Sequence, residues 1–316
     1  MISMKNHVTT AGLLAATALF LTPSFASADD GQKTFQTPEA AGAALLAAAK
    51  ADDTAALVAI FGPESESLIS SGDPVADKSR RDEFVADYGA KHHWSAGLDD
   101  SQVLDAGKTD WPFPIPLVDT SKGWRFDTAR GQDEILNRRI GRNELGAIQA
   151  CLAFVDAEQE YHDRNPLDGK PQYAQFIASS DDQKNGLYWP NAEGSEPSPL
   201  GAAFAAARAA GYAPKQGFGD PLYGYVYRVL RAQGAAAHGG AADYVVDGAM
   251  TKGFALLASP AKYEASGVMT FLVNQTGVIY EKDLGPDTTE IVSKIETFDP
   301  DESWDVVSAQ ARTPPR

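Results

Sequence analysis

From Gly131 to His162 the chain carries apolar residues at helical spacing. Ile135, Leu136 and Ile140 come first, then Leu145, Ile148, Leu152, Val155 and Tyr161. This is the strongest helical stretch of the sequence, and whatever precedes and follows it must pack on it. Glu158, Gln159 and Glu160 make it too polar to lie in lipid. Gly141 is expected to divide it in two. The domain junction falls here: one domain over 29–130, the long helix and a second domain over 131–300, and a flexible acidic tail over 301–316.

The two flanks differ in texture. Before the helix, Thr37-Pro38-Glu39 opens a first helix, with Thr37 as N-cap and Pro38 at the first helical position. Leu57 to Phe61 form a second, stopped by Gly62-Pro63, and a third runs from about Ser79 to Ala90. Short strands follow at Trp94–Leu98, Gln102–Ala106, Ile115–Val118 and Gly123–Phe126. Trp111-Pro112-Phe113-Pro114-Ile115-Pro116 cannot be helix and reads as an edge strand or rigid extended arm. After the helix comes a loop-rich stretch, a short helix over Ala202–Ala210, and strands at Gly224–Ala232, Asp243–Val246, Gly253–Ser259, Val268–Asn274 and Val278–Lys282. Asn274-Gln275-Thr276-Gly277 is a hairpin turn, and a last helix is expected near Thr289–Thr297. The class is α+β.

The first residues read as an export signal: Lys5, an apolar run from Ala11 to Leu21, Pro23, then Ala26-Ser27-Ala28 with cleavage expected after Ala28. The run is too short to span a bilayer, which takes about 20 residues. The expected location is the periplasm, with no stable membrane insertion after cleavage. The formal net charge is -16. That disfavours nucleic acid and anionic lipid as partners. Cys151 is the single cysteine and sits among apolar helical residues, so it reads as core rather than nucleophile.

Several long segments carry a resemblance. They are Trp111 to Pro116, Gly123-Trp124-Arg125-Phe126-Asp127, Asn137-Arg138-Arg139-Ile140-Gly141-Arg142-Asn143-Glu144, Leu187-Tyr188-Trp189-Pro190, and Gly267 to Phe271 through Lys282 to Gly285. By these the chain resembles a bacterial envelope family known as domain of unknown function 2950. That resemblance implies almost nothing about activity. The three helices and following sheet are similar in layout to the cone-shaped NTF2-like fold. The second half resembles the heads of type IV pilins and type II secretion pseudopilins, through Tyr161, Tyr173, Phe176, Gly224-Tyr225-Val226-Tyr227-Arg228 and the hairpin ending at Tyr280. Here, however, the helix is internal, so the resemblance implies a head kept as a free module.

No catalytic set has specific spacing. His238-Gly239-Gly240 lacks a Gly-x-Ser-x-Gly partner and reads as a turn. His92-His93 point to opposite faces of a strand, and no zinc spacing occurs. Asp181-Asp182 and Asp283 to Asp287 offer hard oxygen ligands of the kind calcium takes, with solvated acidic loops as the simpler reading. Arg138, Arg139 and Arg142 form a basic knot at the junction. They either tie the domains through carboxylate forks or hold an anionic ligand. Trp111, Phe113, Trp124, Tyr188 and Trp189 are aromatics beside prolines, read as packing or as a groove for a glycan or extended peptide. The expectation is a non-enzymatic module binding an envelope protein or glycan. The alternative is a small-ligand carrier or enzyme that uses a cavity of the N-terminal domain, with a buried carboxylate near Trp94 or Trp124.

Overall fold

The structure, a computed structural model, describes residues 31–180, 183–190, 194–212 and 220–308. The expected signal segment (1–28), the Asp181-Asp182 pair and the chain from 309 onward lie outside the described residues. The fold is α+β, with helices set against largely antiparallel sheets.

Helix starts in the first half follow one chemical rule. Helix α1 (Pro38–Lys50) opens on Thr37, whose hydroxyl accepts from the Ala40 N–H, with Pro38 in the first turn. Asp53 caps α2 (Thr54–Phe61) through the Ala56 N–H, and Gly62 at φ 96 ends it. A short α3 (Glu66–Ile69) follows. Asp73-Pro74 repeats the cap-and-proline device, so α4 (Pro74–Ala90) starts five residues before the Ser79 expected from apolar spacing alone. Strands β1 (His92–Ala96), β2 (Gln102–Ala106), β3 (Trp111–Pro112), β4 (Leu117–Thr120) and β5 (Gly123–Phe126) form an antiparallel sheet ordered β1-β2-β4-β5, with β3 beside β2. The proline arm therefore pairs over two residues only, Asp105 with Pro112 and Ala106 with Trp111, as its missing donors require. Leu45, Ile60, Phe61, Leu104, Ile115, Leu117 and Phe126 make the first core. Each side chain of this size that it buries contributes about 1.5–3 kcal/mol.

Helix α5 (Thr128–Arg164) is continuous over 37 residues and, at 1.5 Å per residue, about 55 Å long. Gly141 does not break it. A Cβ there would meet nothing within 4 Å, and packing on both sides of this position outweighs the intrinsic cost of one glycine, about 1 kcal/mol. Gly131 has a sharper role. A Cβ would lie 2.3 Å from the Pro114 carbonyl oxygen, so only glycine lets α5 approach the proline arm this closely. Asn165 closes the helix in the left-handed region, φ 46.

The second half begins with the parallel pair β6 (Phe176–Ala178) and β7 (Gly186–Tyr188), then α6 (Gly201–Ala209) and β8 (Tyr225–Leu230). Strand β9 (Ala232–Gln233) pairs with β10 (Ala242–Asp243), and β11 (Val245–Val246) with β12 (Ala249–Met250). Next come β13 (Ala255–Pro260), β14 (Met269–Asn274), β15 (Ile279–Asp283), α7 (Thr288–Lys294) and β16 (Asp305–Val306). The main sheet is antiparallel in the order β16-β15-β14-β13-β8, and α5 packs across β13 and β14. Ala147, Ile148, Cys151, Phe154, Ala157 and Tyr161 of α5 enter its core at helical spacing. The expected flexible tail is corrected over 301–308. Tyr280 pairs with Val306, and Val307 is buried, because its apolar side chain completes the second core.

Both cores share α5, and polar ties fix the joint. Buried Arg139 donates from Nη1 to the Ser67 carbonyl at 2.8 Å and to the Ala265 carbonyl at 3.3 Å, and from Nη2 to the Leu68 carbonyl. One turn on, Asn143 donates to the Ser266 carbonyl, and Glu144 accepts from the Val268 and Met269 N–H groups. Asp73, the α4 cap, accepts from the Tyr212 hydroxyl at 2.9 Å and the Gly224 N–H at 2.7 Å. The expected carboxylate forks are therefore replaced. Arg139 takes backbone carbonyls, because the last carbonyls of so short a helix as α3 have no partner within it. Arg138 pairs with Glu134 at the surface, at 2.6 Å. Arg139→Ala strands buried carbonyls and should cost about 1–3 kcal/mol, read as a lower melting temperature or as two separated transitions. An unchanged single transition would show that the tie contributes nothing.

Candidate anion-binding pocket

Helices α4 and α5 and the proline arm, with side chains of α1, α2 and α3, line an open cavity of about 530 Å³. On α4, Asp77, Arg80, Arg81 and Phe84 face it, at offsets of three, four and seven residues from Asp77. On α5, Ile135, Arg138, Arg139 and Arg142 face it at the same offsets. The arm adds Trp111 and Phe113. Phe113 lies 6.0 Å from Phe61, 5.9 Å from Phe84 and 6.1 Å from Trp111, centroid to centroid, which makes a continuous aromatic wall.

The arginines differ in how they are held. Arg81 pairs with Asp52 at 2.5 Å and reaches the Ile69 carbonyl. Arg138 has Glu134. Among the described residues Arg80 has a long 3.4 Å contact to Asp77, which also accepts the Ser71 N–H at 2.8 Å and hydroxyl at 2.7 Å. Arg139 is engaged by carbonyls, which leave its charge unbalanced, and its Nε has no partner. Arg142 makes no hydrogen bond or ion pair among the described residues. Burial lowers the Arg80 guanidinium below its usual value, with Asp77 opposing and Arg142 reinforcing. Burial, then repulsion from Arg80, brings Arg139 down to about 10, with Asp77 opposing and Arg142 adding to the fall. Both stay charged at neutral pH. Five guanidiniums face three carboxylates, Asp77, Glu83 and Asp87, so the lining carries two net positive charges in a chain whose net charge is -16.

The pocket gathers Trp111, Phe113, Arg138, Arg139 and Arg142 from the residues that the sequence singled out. It does not include Trp124, Tyr188 or Trp189. Trp124 exchanges backbone hydrogen bonds with Phe35 and packs on the first core. Tyr188 stacks on Phe204 at 4.1 Å under Arg208. Trp189 is buried beside Tyr161 in the second core. The carboxylate sought near Trp94 or Trp124 is instead Asp77. Arg80 and Arg81 fall within the helix expected from about Ser79, but apolar spacing marks only its face of Phe84, Val85 and Tyr88, so it gives these arginines no role. The basic pair between Asp77 and Phe84, at the spacing of Ile135 to Arg142, was the available signal. For calcium, no group of three or more His, Cys, Asp or Glu that could hold a metal ion occurs among the described residues. Asp283 accepts from the Gly285 N–H and the Tyr263 hydroxyl.

A protein family described as "Protein of unknown function (DUF2950)" matches residues 32–307. The chain belongs to this family. No curated protein and no solved structure matches it. In this DUF2950 protein, two of the segments that carry the family resemblance, 111–116 and 137–144, meet at the pocket. None of the described helices is long and apolar enough to cross a membrane.

A second ionisable group lies apart from the pocket. Glu158 is fully buried in the second core. Its Oε2 accepts from the Ala174 N–H at 2.8 Å and its Oε1 has no partner. Burial pushes this carboxyl well above the usual range, only partly opposed by the Ala174 bond. A carboxyl whose folded pKa is raised stabilises fully below its unfolded value of about 4.3, and that contribution is lost as pH rises through the folded value. Glu158→Gln should raise the melting temperature at neutral pH and flatten its decline above acidic pH. An unchanged pH profile in thermal denaturation would contradict a neutral Glu158.

Proposed function

We propose that this DUF2950 protein is an exported, non-catalytic binding protein that holds a small ligand between α4, the 111–114 arm and α5. One observation carries the reading: side chains from several separate elements converge on a cavity within the size range of small-molecule sites, roughly 300–1,000 Å³. Binding is favoured over catalysis because the lining has no His, Cys, Ser or Lys, and its buried carboxylate is held by Ser71. Export to the periplasm rests on the signal pattern of Lys5, the apolar run and Ala26-Ser27-Ala28.

A second reading draws on Trp111 and Pro112, which are exposed at the rim and would suit docking of an envelope protein. The two separate in one experiment. The chain is expressed with its own first 28 residues, recovered from the periplasmic fraction without denaturant and weighed by native mass spectrometry. We expect a polypeptide beginning at Asp29 that carries small-molecule adducts lost on denaturation. Ile135→Trp, which fills the cavity from a partly buried position, should carry fewer. A ligand-free chain that captures a protein through Trp111 would overturn the ligand reading. A chain retained in the cytoplasm at full length would overturn export.

A further inference from the structure

Resting on the pocket as a ligand site, we propose that its ligand is an amphipathic anion: one carboxylate- or phosphate-type head on an apolar body. The polarity of the cavity runs along its helices. At one end Arg80, 3.4 Å from Asp77, faces Arg139 and Arg142, one turn apart on α5, and all four line the cavity. Phe84, one turn along α4 from Arg80, and Ile135, two turns along α5 from Arg142, mark the other end, where Phe113 and Phe61 complete the apolar wall. At 1.5 Å per residue these offsets separate head and body sites by about 6–10 Å.

Positive charge is in surplus at the head end: three guanidiniums, Arg80, Arg139 and Arg142, stand near two carboxylates, Asp77, which pairs with Arg80 at 3.4 Å, and Asp73. An anionic head would receive charge-assisted hydrogen bonds from Arg142 and Arg80, and the guanidinium fork suits the paired oxygens of a carboxylate or phosphate. Glu83 and Asp87 lie one and two turns further along α4 and would repel a second anionic group. The ligand therefore carries its charge at one end.

The probes are decanoate, decyl phosphate, decanol and decylamine, titrated against the mature chain with tryptophan fluorescence and melting temperature as readouts. Decanoate or decyl phosphate should bind about tenfold or more tightly than decanol or decylamine, and added salt should weaken that binding. The better of the two anions identifies the head. Arg142→Ala should weaken the anion about tenfold without lowering the melting temperature of the free chain, because Arg142 makes no hydrogen bond or ion pair among the described residues. Arg142→Lys should restore part of the loss. If decanol matches the anions, or decylamine binds best, and Ile135→Trp still blocks binding, the anion inference fails while the pocket stands. If no probe binds, or Ile135→Trp leaves all binding intact, the pocket reading fails with it.

Discussion

Helix α5 belongs to two hydrophobic cores at once, and the protein's geometry follows from that sharing. Its first turns press on the arm through Gly131 and reach the first core through Ile135. Its later turns supply a stripe of the second core from Ala147 to Tyr161. Between these lies a polar stretch. Arg139 faces α3, Asn143 and Glu144 face the segment 265–269, and Arg142 turns to the cavity. A buried guanidinium whose donors meet carbonyls from both halves costs a great deal to misplace, so the joint has one geometry. The cavity wall formed by α5 is set by the same residues that hold the halves together.

That coupling explains how an acidic chain can present a positive site. At physiological ionic strength charges more than about 8 Å apart are largely screened, so the overall charge of -16 weighs little inside a cleft lined by five arginines. Burial strengthens the local field and raises the cost of leaving it unbalanced. Asp77 and Asp73 offset only part of it, because three guanidiniums, Arg80, Arg139 and Arg142, stand near these two carboxylates.

The sequence disclosed much of this through local chemistry. Thr37-Pro38, the Asn274–Gly277 turn and the alternating prolines after Trp111 each left the backbone few choices, and the structure follows them. The errors have physical causes. Gly141 was read as a break because propensity is local, whereas this helix is held by packing at both ends. The role of Arg139 was hidden because its partners are main-chain carbonyls, which side-chain patterns do not reveal. Val307 looked like tail because its burial depends on a sheet edge far away in the chain. The pocket was half legible: the α5 arginines and the arm aromatics stood out, but the facing Arg80-Arg81 pair did not.

The proposed role of the cavity depends on its arginine end recognising an anion. The most direct measurement is the ¹H–¹⁵Nε spectrum of the arginine side chains during titration with decanoate. Saturating shifts at Arg80 and Arg142, with Arg208 and Arg231 of the second half unmoved, are what this structure predicts. Shifts spread evenly over all arginines, or none at Arg80 and Arg142 while the chain demonstrably binds, would contradict it.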